Sequence, residues 1–100
     1  MHEMNAYKVT MLFPELGNDG RPFSASVWGW WLDQIISIGL HHEFAANGIW
    51  RNQPEAHRCI VMVIEQDKLP AVEAFLSEAK KRFAQEAMYF DYHPVHFELI

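Results

Sequence analysis

Between residues 6 and 13 the chain alternates, with Tyr7, Val9, Met11 and Phe13 on one side and Ala6, Lys8, Thr10 and Leu12 on the other. A period of two marks a half-buried strand. Pro14 and the cluster Gly17-Asn18-Asp19-Gly20 close it. From Val27 the spacing becomes helical. Val27, Trp28, Trp31, Leu32, Ile35, Ile36 and Ile38 form one broad apolar face, opposite Trp30, Asp33, Gln34 and Ser37. Ser24 or Ser26 offers a cap and Gly39 a stop, so a helix is predicted near residues 25–38. Residues 44–50 read as a second strand that contains Asn47-Gly48. That dipeptide suits a tight hairpin or a bulge; a hairpin would leave arms too short to pair, which favours the bulge. Asn52-Gln53-Pro54-Glu55 makes the next turn.

Residues 57–65 form the clearest strand. Ile60, Val61, Met62, Val63 and Ile64 follow one another without a polar break, which implies burial on both faces and a central place in a sheet. Asp67 is expected to cap a second helix near residues 68–84, with Pro70 in its first turn. Leu69, Val72, Phe75, Leu76, Ala79 and Phe83 line its apolar side. The last segment, residues 87–100, is rich in aromatic and branched side chains, and Pro94 within it predicts a bulge or an edge position. The order is strand, helix, strand, strand, helix, strand. Right-handed crossovers turn that order into a four-stranded antiparallel sheet with both helices on one face, the ferredoxin-like α+β architecture.

Three pieces of the chain resemble an uncharacterised bacterial family of small ferredoxin-like domains. They are Asp19-Gly20-Arg21-Pro22 with Ser24 and Trp28 downstream, Gly48-Ile49-Trp50-Arg51, and Arg82-Phe83-Ala84-Gln85-Glu86-Ala87. Ala84 stands where the third motif leads one to expect glycine. The resemblance implies the fold and carries no activity with it.

Composition sets the limits. One hundred residues make one domain, and an apolar share of 50% is enough to fill a core. No run approaches the roughly 20 apolar residues of a membrane span. The first residues lack the cationic and apolar parts of a signal peptide, and the single Cys59 fits a reducing compartment, so a cytoplasmic protein is expected. A net charge of −5 argues against nucleic acid and against membrane surfaces. The third strand also lacks the aromatics on which an RNA-recognition sheet stacks bases.

Candidate chemistry is sparse. His41-His42-Glu43 and His93-Pro94-Val95-His96 have the residue types of a transition-metal site, but neighbours in a strand point apart, so no metal and no cofactor is expected. Cys59 lies in the most apolar strand, where a thiol packs rather than reacts. Asp91 and His93 share a strand face, and Trp50 with Arg51 sits beside a loop; these four are the candidate ligand-binding residues. No catalytic residue is assigned. Trp30, on the polar side of its helix, is either an indole lying over a neighbouring turn or a contact anchor. With helices on one face only, the other sheet face needs a cover, and a second copy is the economical one. Alternation presents there either Cys59, Val61 and Val63 or Ile60, Met62 and Ile64; the latter three, with Trp30, are the candidate interface. The leading expectation is a homo-oligomer, most simply a dimer, that binds a small molecule or a protein. A small cofactor-free enzyme with its pocket between helices and sheet, and an accessory subunit of a hetero-complex, are the competing classes.

Overall fold

A computed structural model describes residues 2–100, and the side chains of residues 5–49 and 51–100. The elements are β1 (His2–Pro14), α1 (Ala25–Ile38), β2 (His41–Trp50), β3 (Gln53–Glu65), a 3-10 turn (Gln66–Lys68), α2 (Leu69–Arg82) and β4 (Tyr89–Leu99). The four strands form an antiparallel sheet in the order β2-β3-β1-β4. Each strand–helix–strand half thus leaves a gap one strand wide. β3 fills the gap between β1 and β2, and β1 fills the gap between β3 and β4.

Register decides which side chains meet the helices. Val9 pairs with Met62 and Met11 with Ile60, so these four share a face. With Phe13 and Ile64 they are buried against Trp31 and Ile35 of α1 and Val72, Phe75, Leu76 and Ala79 of α2. Both helices therefore lie on one side. Phe13 is the hub, with ring centroids 5.4 Å from Trp31, 5.7 Å from Phe75 and 5.8 Å from Phe83. Arg58 lies along the same side: its Nε donates to Glu15 Oε1 at 3.0 Å, and its guanidinium lies 3.8 Å over the Trp28 ring. A cation held against an indole face gains from the ring quadrupole while keeping its carboxylate partner.

The helices stand where the spacing puts them. The Val27 N–H donates to Ser24 Oγ at 3.3 Å, the expected cap of α1. α2 begins at Leu69 with Pro70 in its first turn, but Asp67 sits in the preceding 3-10 turn, and Lys68 occupies the cap position with no side-chain bond. Several strand readings need correction. β2 and β3 are joined by Arg51-Asn52, whose φ angles of 49° and 63° make the mirror-image turn that suits hairpin twist. The turn expected at residues 52–55 is displaced, because Gln53, Pro54 and Glu55 already pair with Trp50, Ile49 and Gly48. Asn47-Gly48 is neither hairpin nor bulge. Pairing runs one to one from His41↔Met62 to Trp50↔Gln53, so all ten pairs form without an extra residue. Pro94 causes no bulge either; it pairs with Tyr7 in an unbroken register. Its alternative, an edge strand, is what β4 is.

The candidate interface set also changes. Ile60, Met62 and Ile64 are 0%, 2% and 4% exposed beneath the helices, so they are core and cannot meet a second subunit. The bare face instead carries Cys59 and Val61, partly covered, and Val63, 42% exposed. No helix packs on that face, and the strands also run past the helices that cover the other one. Thirteen residues of strand reach about 43 Å, whereas a 14-residue helix spans about 21 Å. The molecule measures 48 × 27 × 21 Å, and the sheet outruns its helices.

Candidate functional site

A cleft of about 520 Å³ opens at one end of the face that the helices leave bare. Leu12 and Pro14 of β1, Gly48 of β2, Glu55 and His57 of β3 and Tyr89 of β4 contribute to its walls. Asn18, Arg51 and residues 85–88 form the rim. The space therefore lies on the opposite side of the sheet from the pocket expected between helices and sheet, where aromatic packing is tight.

His57 is the organising side chain. Strand alternation sends it and Glu55 to the same face, and Nε2 stands 3.1 Å from Glu55 Oε2. A carboxylate only accepts, so Nε2 donates and Nδ1 is left without a proton in the neutral ring. Among the described residues Nδ1 is buried without a hydrogen-bond partner. Gly48 makes the position accessible to the ring: a Cβ there would stand 3.3 Å from His57 Cε1 and 3.5 Å from Nδ1. The glycine thus serves close approach of an imidazole across the strand pair, not a turn.

Two further pairs frame the space. Arg51 Nη2 contacts Glu86 Oε2 at 2.6 Å, and Nη1 donates to Glu86 Oε1 at 3.3 Å, linking the β2–β3 turn to the segment between α2 and β4. Both side chains are exposed, so the pair fixes geometry more than it stabilises. Asn18 Nδ2 donates to the Ala84 carbonyl at 2.9 Å and holds the β1–α1 loop against the end of α2. On β4 the Tyr89 hydroxyl donates to Asp91 Oδ2 at 2.5 Å. That hydrogen bond, with the carboxylate charge, pushes the Tyr89 phenol above its ordinary value. Burial, then the charge of Asp91, pushes the Cys59 thiol up as well. A raised thiol is a poor nucleophile.

Of the ligand-binding residues read from the sequence, Arg51 lines the cleft and Asp91 touches it through Tyr89. His93, opposite Lys8, lies farther along β4 and does not line it. The Trp50 side chain lies outside the described residues. Trp30 does not lie over a neighbouring turn: it faces α2, 5.6 Å from Phe75 and with the Arg82 guanidinium 4.3 Å over its ring, and packs against the edge of the core. Among the described residues no group of three or more His, Cys, Asp or Glu side chains is placed to hold a metal ion. His41-His42 and His93 belong to opposite edge strands, three strand spacings or about 14 Å apart. Sequence reasoning missed His57, Glu55, Gly48, Tyr89 and Glu86. The available signal was an i, i+2 carboxylate–imidazole pair at the head of the most apolar strand.

No family model matches the chain, and no curated protein matches it. Among solved structures it is similar to a phage SAM lyase in complex with S-methyl-5′-thioadenosine, at 12% identity over 94% of this chain and 90% of that one, with a TM-score of 0.65. A de novo designed protein, Foldit4, aligns over 94% of this chain and 97% of its own at 11% identity, with a TM-score of 0.44. The first likeness concerns the fold: an α+β chain with a four-stranded antiparallel sheet and two helices. Among the described residues, no helix is long and apolar enough to cross a membrane.

Proposed function

We propose that this chain is a homo-oligomeric, ferredoxin-like domain of the cytoplasm that binds a small molecule in the cleft around His57. The observation that carries the reading is the His57 arrangement: an imidazole fixed by Glu55, laid over a side-chain-free Gly48, in a space of about 520 Å³. Volumes of this order hold small organic ligands. Two motifs of the bacterial family that the sequence resembles converge there, through Gly48, Ile49 and Arg51 and through Gln85, Glu86 and Ala87, which supports membership of that family. Strand order β2-β3-β1-β4 with two interleaved halves supports the ferredoxin-like assignment. Val61, Val63 and Phe44 on the bare face support self-association, with a protein partner as the competing cover. The lone Cys59 supports a reducing compartment.

A second reading, a small cofactor-free enzyme, is favoured by the same dyad, since Glu55 orients His57 as it would a general base and Tyr89 adds a phenol to the wall. Native mass spectrometry of the purified protein tests the binding reading. The expected result is an oligomer carrying a co-purified small molecule, which Gly48→Val, filling the space over His57, releases without loss of the fold. S-methyl-5′-thioadenosine, the ligand of the phage lyase, is the first probe to add. A monomer that carries nothing and gives no calorimetric response to that probe sinks the proposal.

A further inference from the structure

We propose that the free edge of β2 pairs antiparallel with β2 of a second copy, about a twofold axis at Ala45 or Ala46, and that the partner thereby closes the Gly48 side of the cleft. The pairing stands on the edge itself; its role at the cleft rests on the ligand reading above. Among the described strands β2 is bonded to β3 alone, so the outer backbone groups of a ten-residue strand face away from the sheet. Such an edge is a template for another strand unless the sequence blocks it. The two edges of this sheet differ in that respect. β4 carries Pro94 near its middle and the charges of Asp91 and Glu98, whereas residues 44–50 of β2 contain neither a proline nor a charge.

Apolar groups gather beside the unblocked edge. Leu40, directly before the strand, is 92% exposed, Ile49 77% and Phe44 52%. Ile36, 61% exposed, lies on α1 away from the Trp30 side that packs on α2. The occupant is a second copy because the strand complements itself. An axis at Ala45 sets Glu43 against Asn47, and an axis at Ala46 sets it against Ile49. In neither register does the strand's one carboxylate oppose another, the arrangement that would cost stability. The same two registers place the partner's His42 or the partner's Phe44 opposite Gly48. Both come from the bare face of the sheet, at the usual cross-strand spacing of about 5 Å. A ring from the second copy then stands beside the one wall residue that has no side chain of its own.

Cross-linking tests the contact in the full-length protein with Cys59→Ser. Ala45→Cys or Ala46→Cys, whichever sits on the axis, should give a disulfide-linked dimer under mild oxidation, while Glu98→Cys on the blocked edge should not. Ala45→Lys sets like charges near the axis and should weaken the dimer at least tenfold by sedimentation equilibrium, with an unchanged circular dichroism spectrum. Failure of both cysteine variants to cross-link, or an association constant indifferent to Ala45→Lys, overturns the edge contact. If Val61→Lys alone dissociates the protein, the bare sheet face is the interface and the edge proposal falls without touching the ligand reading. Cross-linking with no change in retained ligand for His42→Ala and Phe44→Ala overturns the role at the cleft alone.

Discussion

The phenol of Tyr89 reports on its neighbour. Its hydroxyl donates to Asp91, and both that bond and the adjacent negative charge favour the protonated ring. The native state therefore binds this proton more tightly than the unfolded chain does. The stabilisation is complete below the ordinary phenol value, about 10, and is lost as the pH rises through the higher native value. Absorbance of the phenolate near 295 nm should show one tyrosine titrating late, and Asp91→Asn should return it toward the ordinary range. An unchanged titration in the variant would mean that the hydrogen bond does not form in solution. At this scale the sequence was only half legible. Asp91 could be singled out because it shares a strand face with a titratable neighbour, but the neighbour that counts is Tyr89, two residues before it, and not His93, two residues after. Strand alternation treats both alike; the position of the cleft along β4 separates them.

At the end of α2 the chain accepts a backbone conformation that its residue does not favour. Ala84 has φ of 51°, in the left-handed region, while the Phe83 N–H bonds the Ala79 carbonyl at 2.8 Å and the Gln85 N–H bonds Lys80 at 3.0 Å. Helices that end this way usually place glycine there. An L-residue in that region costs roughly 1–2 kcal/mol, and glycine returns part of the gain as extra freedom of the unfolded chain, about 0.4–1 kcal/mol. Ala84→Gly should therefore stabilise the protein by roughly 0.5–1 kcal/mol, read as a higher urea midpoint at constant slope. A lower midpoint would contradict the turn geometry. Elements as wholes were easy to find in the sequence, because a period of 3.6 changes to a period of two at each boundary. Their ends were not. His41 and Gln53 carry no apolar signal; they are in strands because they pair with Met62 and Trp50 across the ladder. Asn47-Gly48 misleads for a related reason: Asn52 supplies the positive φ that closes the hairpin, so the glycine is free to accommodate His57.

For the whole molecule, adjacent residues of β3 have opposite duties. Met62 is 2% exposed under the helices, and Val61 faces the bare side. Met62→Lys buries an unpaired ammonium and should abolish folding, a loss above about 4 kcal/mol. Val61→Lys, on the side that no helix covers, should leave a folded chain that still pairs through the β2 edge. Circular dichroism with sedimentation velocity separates the two outcomes, and a folded Met62→Lys protein would refute the assignment of faces. The order of the strands also sets a timetable for reaching this structure. β2 and β3 are joined by two residues, so their hairpin can close as soon as both have left the ribosome. β1 must wait, because its partners lie far along the chain: Pro14 pairs with His57, and His2 with Leu99. Synthesis therefore produces the β2 half of the sheet first and the opposite edge last, and until β4 arrives one side of β1 has no strand to bond.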